Sequence, residues 1–130
     1  MTTQDQTQAS ARDRSSYEPA LEKLAHRFGE RFSANRTVRE QHANITSWHP
    51  VKVPDGVVFP ESTEEVSEIV RICAEHRVPI IPFGVGSSLE AGVNATFGGG
   101  SIDMGRMSNV LAIHEDDMGC VGQAGVGREE

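Results

Sequence analysis

The feature that most constrains the fold is an amphipathic helix set between two short apolar segments. Ser62 and Glu65 have the spacing of a capping box, which marks the start of a helix that would continue to about Arg77. One stripe of this helix is apolar and comprises Val66, Ile69, Val70 and Cys73. Because such a stripe needs a sheet to cover, "VVFP" before the helix and "IIPF" after it are interpreted as strands. The sequence therefore predicts a β-α-β unit with parallel strands, with "SIDM" as a further strand of the same sheet.

The segments on either side of this unit divide the chain. Residues 1–16 are too polar to join a core, and we predict a disordered tail there. Residues 17–50 are predicted to be helical, and the apolar face of the first helix comprises Leu21, Leu24, Ala25 and Phe28. A domain is predicted to begin at residue 51 and to continue to residue 130. Near its end, "VLAIHE" and "CVGQAGV" predict an antiparallel hairpin, so Glu115–Asp117 are expected to form a solvated turn and not a metal site.

Charge and cysteine usage exclude several classes of protein. Nineteen acidic side chains against twelve basic ones give a formal net charge of -7, which disfavours nucleic acid and anionic membrane surfaces as partners. Cys73 and Cys120 lie far apart and lack metal-binding spacing, as expected of ordinary reduced thiols. No apolar stretch is long enough for a signal peptide or a transmembrane segment. We therefore expect a cytoplasmic protein without a metal site.

The segment "IIPFGVGSSLEAG" places glycines and serines directly after a predicted strand. Ligands of open α/β sheets collect beyond the carboxyl ends of the strands. Gly84 and Gly86 would let the backbone direct successive N-H groups at one phosphate, and Ser87 and Ser88 would add hydroxyl donors. The loop contains no lysine or arginine, which favours a pyrophosphate between two organic groups over a triphosphate with its metal ion.

The spacing alone also fits a loop that only connects two elements. Glycine and serine are common turn residues, and the loop has neither the GxGxxG nor the GxxxxGK[ST] pattern. From the residues alone, both interpretations of the loop stay open.

A resemblance extends the argument, and the run "PDGVVFPESTEEVSEIVRICAEHRVPIIPFGVGSSLEAGV" carries it. This run, together with "IDMGRMSNVL" and "VGQAGV", resembles the FAD-binding domain of the vanillyl-alcohol oxidase type flavoenzymes. Within that family it is most similar to the branch of D-lactate dehydrogenases and the flavin subunit of glycolate oxidase. The resemblance implies an α+β fold: the first lobe of a two-lobed FAD-binding domain, with a small parallel β-α-β sheet and helices, plus the first strands of a second, antiparallel lobe.

The resemblance also implies which residues contact the cofactor. FAD would lie between the two lobes, with its pyrophosphate held by the loop after the second strand. Pro82 would precede that loop, and Leu89 would pack beside the pyrophosphate. Backbone or hydroxyl donors would come from Gly84, Val85, Gly86, Ser87 and Ser88. Ala91 stands where the branch usually has glycine, which would alter the turn if that position needs a positive φ.

The implied function is the oxidation of a small 2-hydroxy acid by hydride transfer to FAD. Enzymes of the family are several times longer than 130 residues, so residues 51–130 are interpreted as a truncated FAD-binding domain and the chain as an amino-terminal piece. A piece of this kind is expected to be inactive alone, and to be marginally stable or to self-associate. The alternative is a non-catalytic nucleotide-binding or interaction module that lacks the substrate domain.

Several other residues are given structural interpretations. No catalytic residue is assigned, because each candidate histidine lies alone in a segment with a simpler explanation; the four are His42, His49, His76 and His114. Arg106 is expected to be structural, and Trp48 is expected to pack against the protein.

Overall fold

The structure, a computed structural model, describes residues 16–43 and 46–128. The predicted tail of residues 1–16 therefore lies almost wholly outside the described residues. The helices are α1 (Glu18–Phe28), α2 (Arg36–Gln41) and α3 (Thr63–Glu75), with a 3-10 turn at Gly29–Arg31. The strands are β1 (Phe32–Ser33), β2 (Gly56–Val58), β3 (Ile80–Phe83), β4 (Gly100–Asp103), β5 (Val110–His114) and β6 (Gly119–Gly122).

The first four strands form one sheet in the order β1-β2-β4-β3. β4 is parallel to both β2 and β3, and β1 is antiparallel to β2. The predicted parallel sheet of "VVFP", "IIPF" and "SIDM" is thus confirmed, but the two strands that flank α3 are not neighbours. β4, which comes later in the chain, lies between them.

Helix α3 begins as its capping box predicts. The Ser62 hydroxyl accepts a hydrogen bond from the Glu65 N-H at 3.2 Å, which satisfies one of the unpaired donors of the first turn. The helix ends with the N-H of Val78 bonded to the carbonyl of Cys73 and that of Arg77 bonded to the carbonyl of Ala74. This is a Schellman arrangement, with Arg77 in the left-handed position at a φ of 54°.

The helices α1 and α3 pack on the same face of the sheet. Ile69 and Cys73 of α3 are fully buried against Leu24 and Phe28 of α1 and against Ile102 of β4. The opposite face of the sheet carries Val57, Ser101 and Ile81, which are cross-strand partners and all buried.

Two predictions about the apolar helix faces are wrong in detail. Val70 is 42% exposed, because at about 100° per residue it lies at the far edge of the stripe centred on Ile69 and Cys73. Ile72, on the other edge, packs against the core in its place. In α1, Ala25 was predicted to be buried and is exposed. Ala20, one turn before the buried Leu24, is buried instead.

The last two strands form a separate antiparallel hairpin, as predicted. Its turn contains Glu115–Asp117, all exposed, and closes through a bond from the Met118 N-H to the Glu115 carbonyl at 3.2 Å. Large apolar side chains of the hairpin are also exposed, Leu111 at 63% and Ile113 at 70%. The fold is therefore α+β, with a parallel sheet under helices and a second, antiparallel sheet.

The prediction that Trp48 packs against the protein is also wrong. Its side chain is 87% exposed and stacks on the adjacent His49 ring, with 4.3 Å between the centroids, and it takes no part in the core. No helix among the described residues has the length and apolar character needed to cross a bilayer. The domain boundaries and the cytoplasmic location stay predictions.

Candidate functional site

The glycine-serine loop of residues 84–88 begins at the carboxyl end of β3. β3 is an edge strand, so Pro82 is tolerated there although it has no N-H to donate to a neighbouring strand. The last residues of β3 and β4, Phe83 and Asp103, are register partners, and the Met104 N-H donates to the Phe83 carbonyl at 2.9 Å. The parallel strands thus end together beneath the loop, at the edge where open sheets bind ligands.

The backbone N-H groups of residues 84–88 form no hydrogen bond with any other described residue. The loop residues are exposed or half-buried, so these N-H groups lie in a part of the backbone that a ligand can approach. Their dipoles can stabilise an anion without a basic side chain.

Gly86 has a backbone conformation that favours glycine, with a φ of 72°. A Cβ atom at this position would lie 2.8 Å from Cζ of Phe83, which is closer than such contacts occur. The loop therefore rests directly on the Phe83 ring. Gly84 differs, because its φ is ordinary and a Cβ there would meet nothing within 4 Å.

Ser88, the last residue of the loop, is hydrogen-bonded to the turn that follows. Its hydroxyl oxygen accepts a hydrogen bond from the Gly92 N-H at 3.1 Å. Between them Ala91 adopts a φ of 57°, the positive value suspected from the sequence. The turn therefore keeps the left-handed conformation although it lacks the glycine usual in the branch that the chain resembles.

The loop borders an open depression with a volume of about 520 Å³. It brings together six of the seven predicted site residues: Pro82, Gly84, Val85, Gly86, Ser87 and Ser88. Leu89 does not line it, and its side chain is 79% exposed. The side chain of Val85 is also 85% exposed, so its contribution to the depression is mainly backbone. Gly92 and Val93 complete the wall and were not predicted, although both lie in the run that carries the resemblance.

Sequence reasoning also missed a buried pair below the loop, His42 and Asp103. His42 Nδ1 donates to the Val38 carbonyl at 2.7 Å, and Nε2 lies 2.7 Å from Oδ2 of Asp103. The two side chains are 8% and 15% exposed. The other Asp103 oxygen accepts from the Gly105 N-H at 2.8 Å. An aspartate at the end of a strand beside β3 was the available signal.

The surroundings of His42 favour its charged form. Burial lowers the pKa of His42, but the hydrogen bonds to Asp103 and to the Val38 carbonyl and the charge of Asp103 together raise this pKa above its ordinary value. Both ring nitrogens face acceptors, and only the imidazolium has two N-H donors to satisfy them.

Arg106 forms part of an ion-pair network away from the loop. Its Nη1 lies 3.2 Å from Oε1 of Glu61, which also pairs with Arg31 at 3.7 Å. Arg31 in turn donates to Glu65 Oε2 at 2.5 Å. The network joins the β4-β5 connection to the start of α3, in agreement with the structural role expected for Arg106.

Neither cysteine lies in a group of metal-binding side chains among the described residues. Cys73 is buried and Cys120 exposed, both as free thiols, and burial raises the pKa of Cys73 to about 11. Within residues 16–43 and 46–128, no three histidine, cysteine, aspartate or glutamate side chains are grouped so that they could hold a metal ion.

Comparison with known proteins shows to which family the chain belongs. The sequence profile of the FAD binding domain family matches residues 54–130, which is more than half of the chain. The match includes the parallel sheet, the loop of residues 84–88 and the hairpin.

Two curated relatives illustrate the similarity. A probable mitochondrial D-lactate dehydrogenase of Danio rerio is 44% identical over 97 residues, which cover 75% of this chain and 20% of the relative. The glycolate oxidase subunit GlcD of Bacillus subtilis is 42% identical over 74 residues, which cover 57% of this chain and 16% of the relative. The chain thus spans about a fifth or less of the length of these two proteins.

Solved structures agree with the fold. An alkyldihydroxyacetonephosphate synthase matches with a TM-score of 0.73 and 27% identity, over 85% of this chain and 25% of that one. A p-cresol methylhydroxylase with bound substrate matches with a TM-score of 0.70 over 86% of this chain and 23% of that one. The second is 18% identical and supports the fold alone.

Proposed function

The chain belongs to the FAD binding domain family, and on that premise we propose that the loop of residues 84–88 binds the pyrophosphate of FAD in the oxidation of a small 2-hydroxy acid. D-lactate and glycolate are the substrates considered, since relatives with 44% and 42% identity are named for their oxidation. The observation that carries the proposal is the row of five backbone N-H groups that donate to no other described residue and lie beside an open depression.

The residues of the loop fit a diphosphate. Gly84 leaves space above the backbone, so bulky phosphate oxygens can approach the N-H groups of Val85 and Gly86. The Ser87 hydroxyl is exposed, and the Ser88 hydroxyl can still donate its proton because its oxygen accepts from Gly92. The fixed N-H dipoles stand in for the cations that other phosphate sites use.

In such a reaction this chain would bind and orient FAD. FAD, when bound, supplies the chemistry by accepting a hydride from the carbon that bears the substrate hydroxyl. The loop would hold the diphosphate at the carboxyl edge of the sheet and so fix the position of the remainder of the cofactor. The rigid strands beneath it, tied by the bond from Met104 to Phe83, would limit movement of that anchor.

The proposal is tested by titrating the purified chain with FAD and recording flavin absorbance and fluorescence. We expect saturable binding, with riboflavin as a control that lacks the diphosphate and should bind at least about tenfold more weakly. Equal affinity for FAD and riboflavin, or no binding of FAD, would contradict the role of the loop. If FAD binds and D-lactate or glycolate bleaches it without oxygen, the oxidation is supported over the non-catalytic nucleotide-binding alternative.

A further inference from the structure

The Phe83 ring lies directly under the loop of residues 84–88, and the His42 ring contacts it. Phe83 lies under Gly86 so closely that a Cβ on Gly86 would meet two of its ring atoms at 2.8 and 2.9 Å. On its other side Phe83 contacts the His42 ring, with 4.4 Å between the centroids and 49° between the planes. The position of His42 therefore limits where the Phe83 ring, and with it Gly86, can lie.

His42 itself is fixed from three directions. The Val38 carbonyl and Asp103 hold its two ring nitrogens, each at 2.7 Å. Phe59 meets its ring edge to face, with centroids 5.8 Å apart. A ring held at both nitrogens cannot rotate without breaking a hydrogen bond in a buried place, which is costly.

On these contacts we propose that His42 and Asp103 are a positioning pair that holds the Phe83 ring under Gly86 and thereby shapes the loop of residues 84–88. Among the described residues, no hydrogen bond joins either residue to the loop. His42, which follows the last residue of helix α2, and Asp103, the last residue of strand β4, meet beside the ring that supports the loop. The consequence for FAD rests on the proposed function, but the shaping of the loop does not.

The pair also makes the loop sensitive to pH. Among the described residues, Asp103 is the charged group that faces His42; β3 and the segment after β2 present Phe83 and Phe59, and Arg39 of α2 is bonded instead to the Pro54 carbonyl at 2.6 Å. Since the folded-state pKa of His42 is raised, the charged pair is complete below the ordinary histidine pKa of about 6.5. It is lost as the pH rises through the folded-state pKa.

The direct test is an NMR titration of the unmodified chain without FAD, from about pH 6 to about pH 9. The His42 ring protons and the Gly86 α-protons should shift with one common midpoint, above the ordinary histidine value. The α-protons of Gly56, at the buried start of β2, serve as the control and should not follow that midpoint. Gly86 α-protons that do not follow the His42 titration would overturn the proposal.

Two variants test separately the pairing of His42 with Asp103 and the contact of Phe83 with Gly86. In Asp103→Asn the His42 midpoint should fall, and the shift of Gly86 should fall with it. In Phe83→Leu His42 should still titrate while Gly86 no longer follows, because the ring that joins them is gone. A Gly86 response in Phe83→Leu as large as in the parent would contradict the relay through Phe83.

FAD affinity gives a second readout. We expect Asp103→Asn to bind FAD about tenfold more weakly at pH 6 and to lose most of the pH dependence that the parent shows. If the parent binds no FAD, the proposed function fails, while the NMR coupling still decides the positioning role. If the parent binds FAD and Asp103→Asn binds it equally well at every pH, the positioning role fails and the proposed function stands.

Discussion

Ala91 is a residue under backbone strain, because its φ of 57° lies in the region that favours glycine. A residue with a Cβ in this region costs about 1–2 kcal/mol relative to the right-handed region. The Asn94 N-H donates to the Ala91 carbonyl at 2.9 Å, so the turn is held in place from the following residues. The same turn includes Gly92, whose N-H is bonded to Ser88 of the candidate site.

We predict that Ala91→Gly raises the free energy of unfolding by about 0.5–1 kcal/mol, since relief of the strain exceeds the added entropy of the unfolded chain. Urea denaturation measures the change. The matched control is Ala74→Gly in α3, where the same substitution should lower the free energy of unfolding by about 0.5–1 kcal/mol, because Ala74 is helical. A loss of stability in Ala91→Gly equal to that of the control would show that the positive φ is not a source of strain.

At the scale of single residues, only part of the site could be predicted from the sequence. The glycines and serines of the loop were visible as residue types, and the departure at Ala91 was visible against the family. The role of His42 beneath the loop could not be predicted from the sequence, because His42 and Asp103 are 61 residues apart and meet only in the folded chain. The roles of the seven predicted site residues stay predictions until a cofactor is titrated.

Helix α3 is positioned at its start by a salt bridge to the 3-10 turn. Arg31 Nη1 donates to Glu65 Oε2 at 2.5 Å, and the two side chains are 21% and 18% exposed. The hydrogen bond from Arg31 lowers the pKa of Glu65, with the charge of Arg31 acting in the same direction and burial opposing it. The folded state therefore binds the Glu65 proton more weakly than the unfolded state does.

We predict that this salt bridge contributes to stability above the ordinary glutamate pKa and that its contribution is lost as the pH falls through the lowered folded-state pKa. In Glu65→Gln the fall in melting temperature between pH 7 and acid should be smaller than in the parent, and the melting temperature at pH 7 should be lower. Glu64→Gln, an exposed neighbour in the same first turn, is the control and should follow the parent. Identical acid profiles for Glu65→Gln and the parent would contradict the assignment.

At the scale of elements, local signals predicted α3, the strands beside it and the hairpin. They could not give the strand order, because β4 inserts between β2 and β3 through contacts that no local segment encodes. They also misplaced Val70 and Ala25, since apolar residues near the edge of a helical stripe are buried only where a neighbouring element reaches them. The exposed Trp48 has the same explanation: nothing in "TSWHP" indicates whether an element lies beside it.

For the whole molecule, the parallel sheet and the antiparallel hairpin agree with the fold of the similar solved structures, and the loop of residues 84–88 lies at the carboxyl edge of the parallel sheet. Exposed apolar side chains on the hairpin, Leu111 and Ile113 among them, are consistent with the self-association expected from the sequence, which stays a prediction. We propose that the bare backbone of the loop lets a diphosphate reach its N-H groups.

The most direct test of that claim is the FAD affinity of Gly84→Val. Gly86 is less suited to this test, because a substitution there would disturb the loop itself through its φ and through Phe83. At Gly84 a Cβ meets nothing within 4 Å, so the free chain should keep its circular dichroism and its unfolding midpoint. Gly119→Val in the exposed hairpin, where a Cβ also has room, is the matched control. We predict that Gly84→Val binds FAD about 100-fold more weakly than the parent while Gly119→Val binds it equally well; parent-like affinity in Gly84→Val would show that the loop only connects two elements.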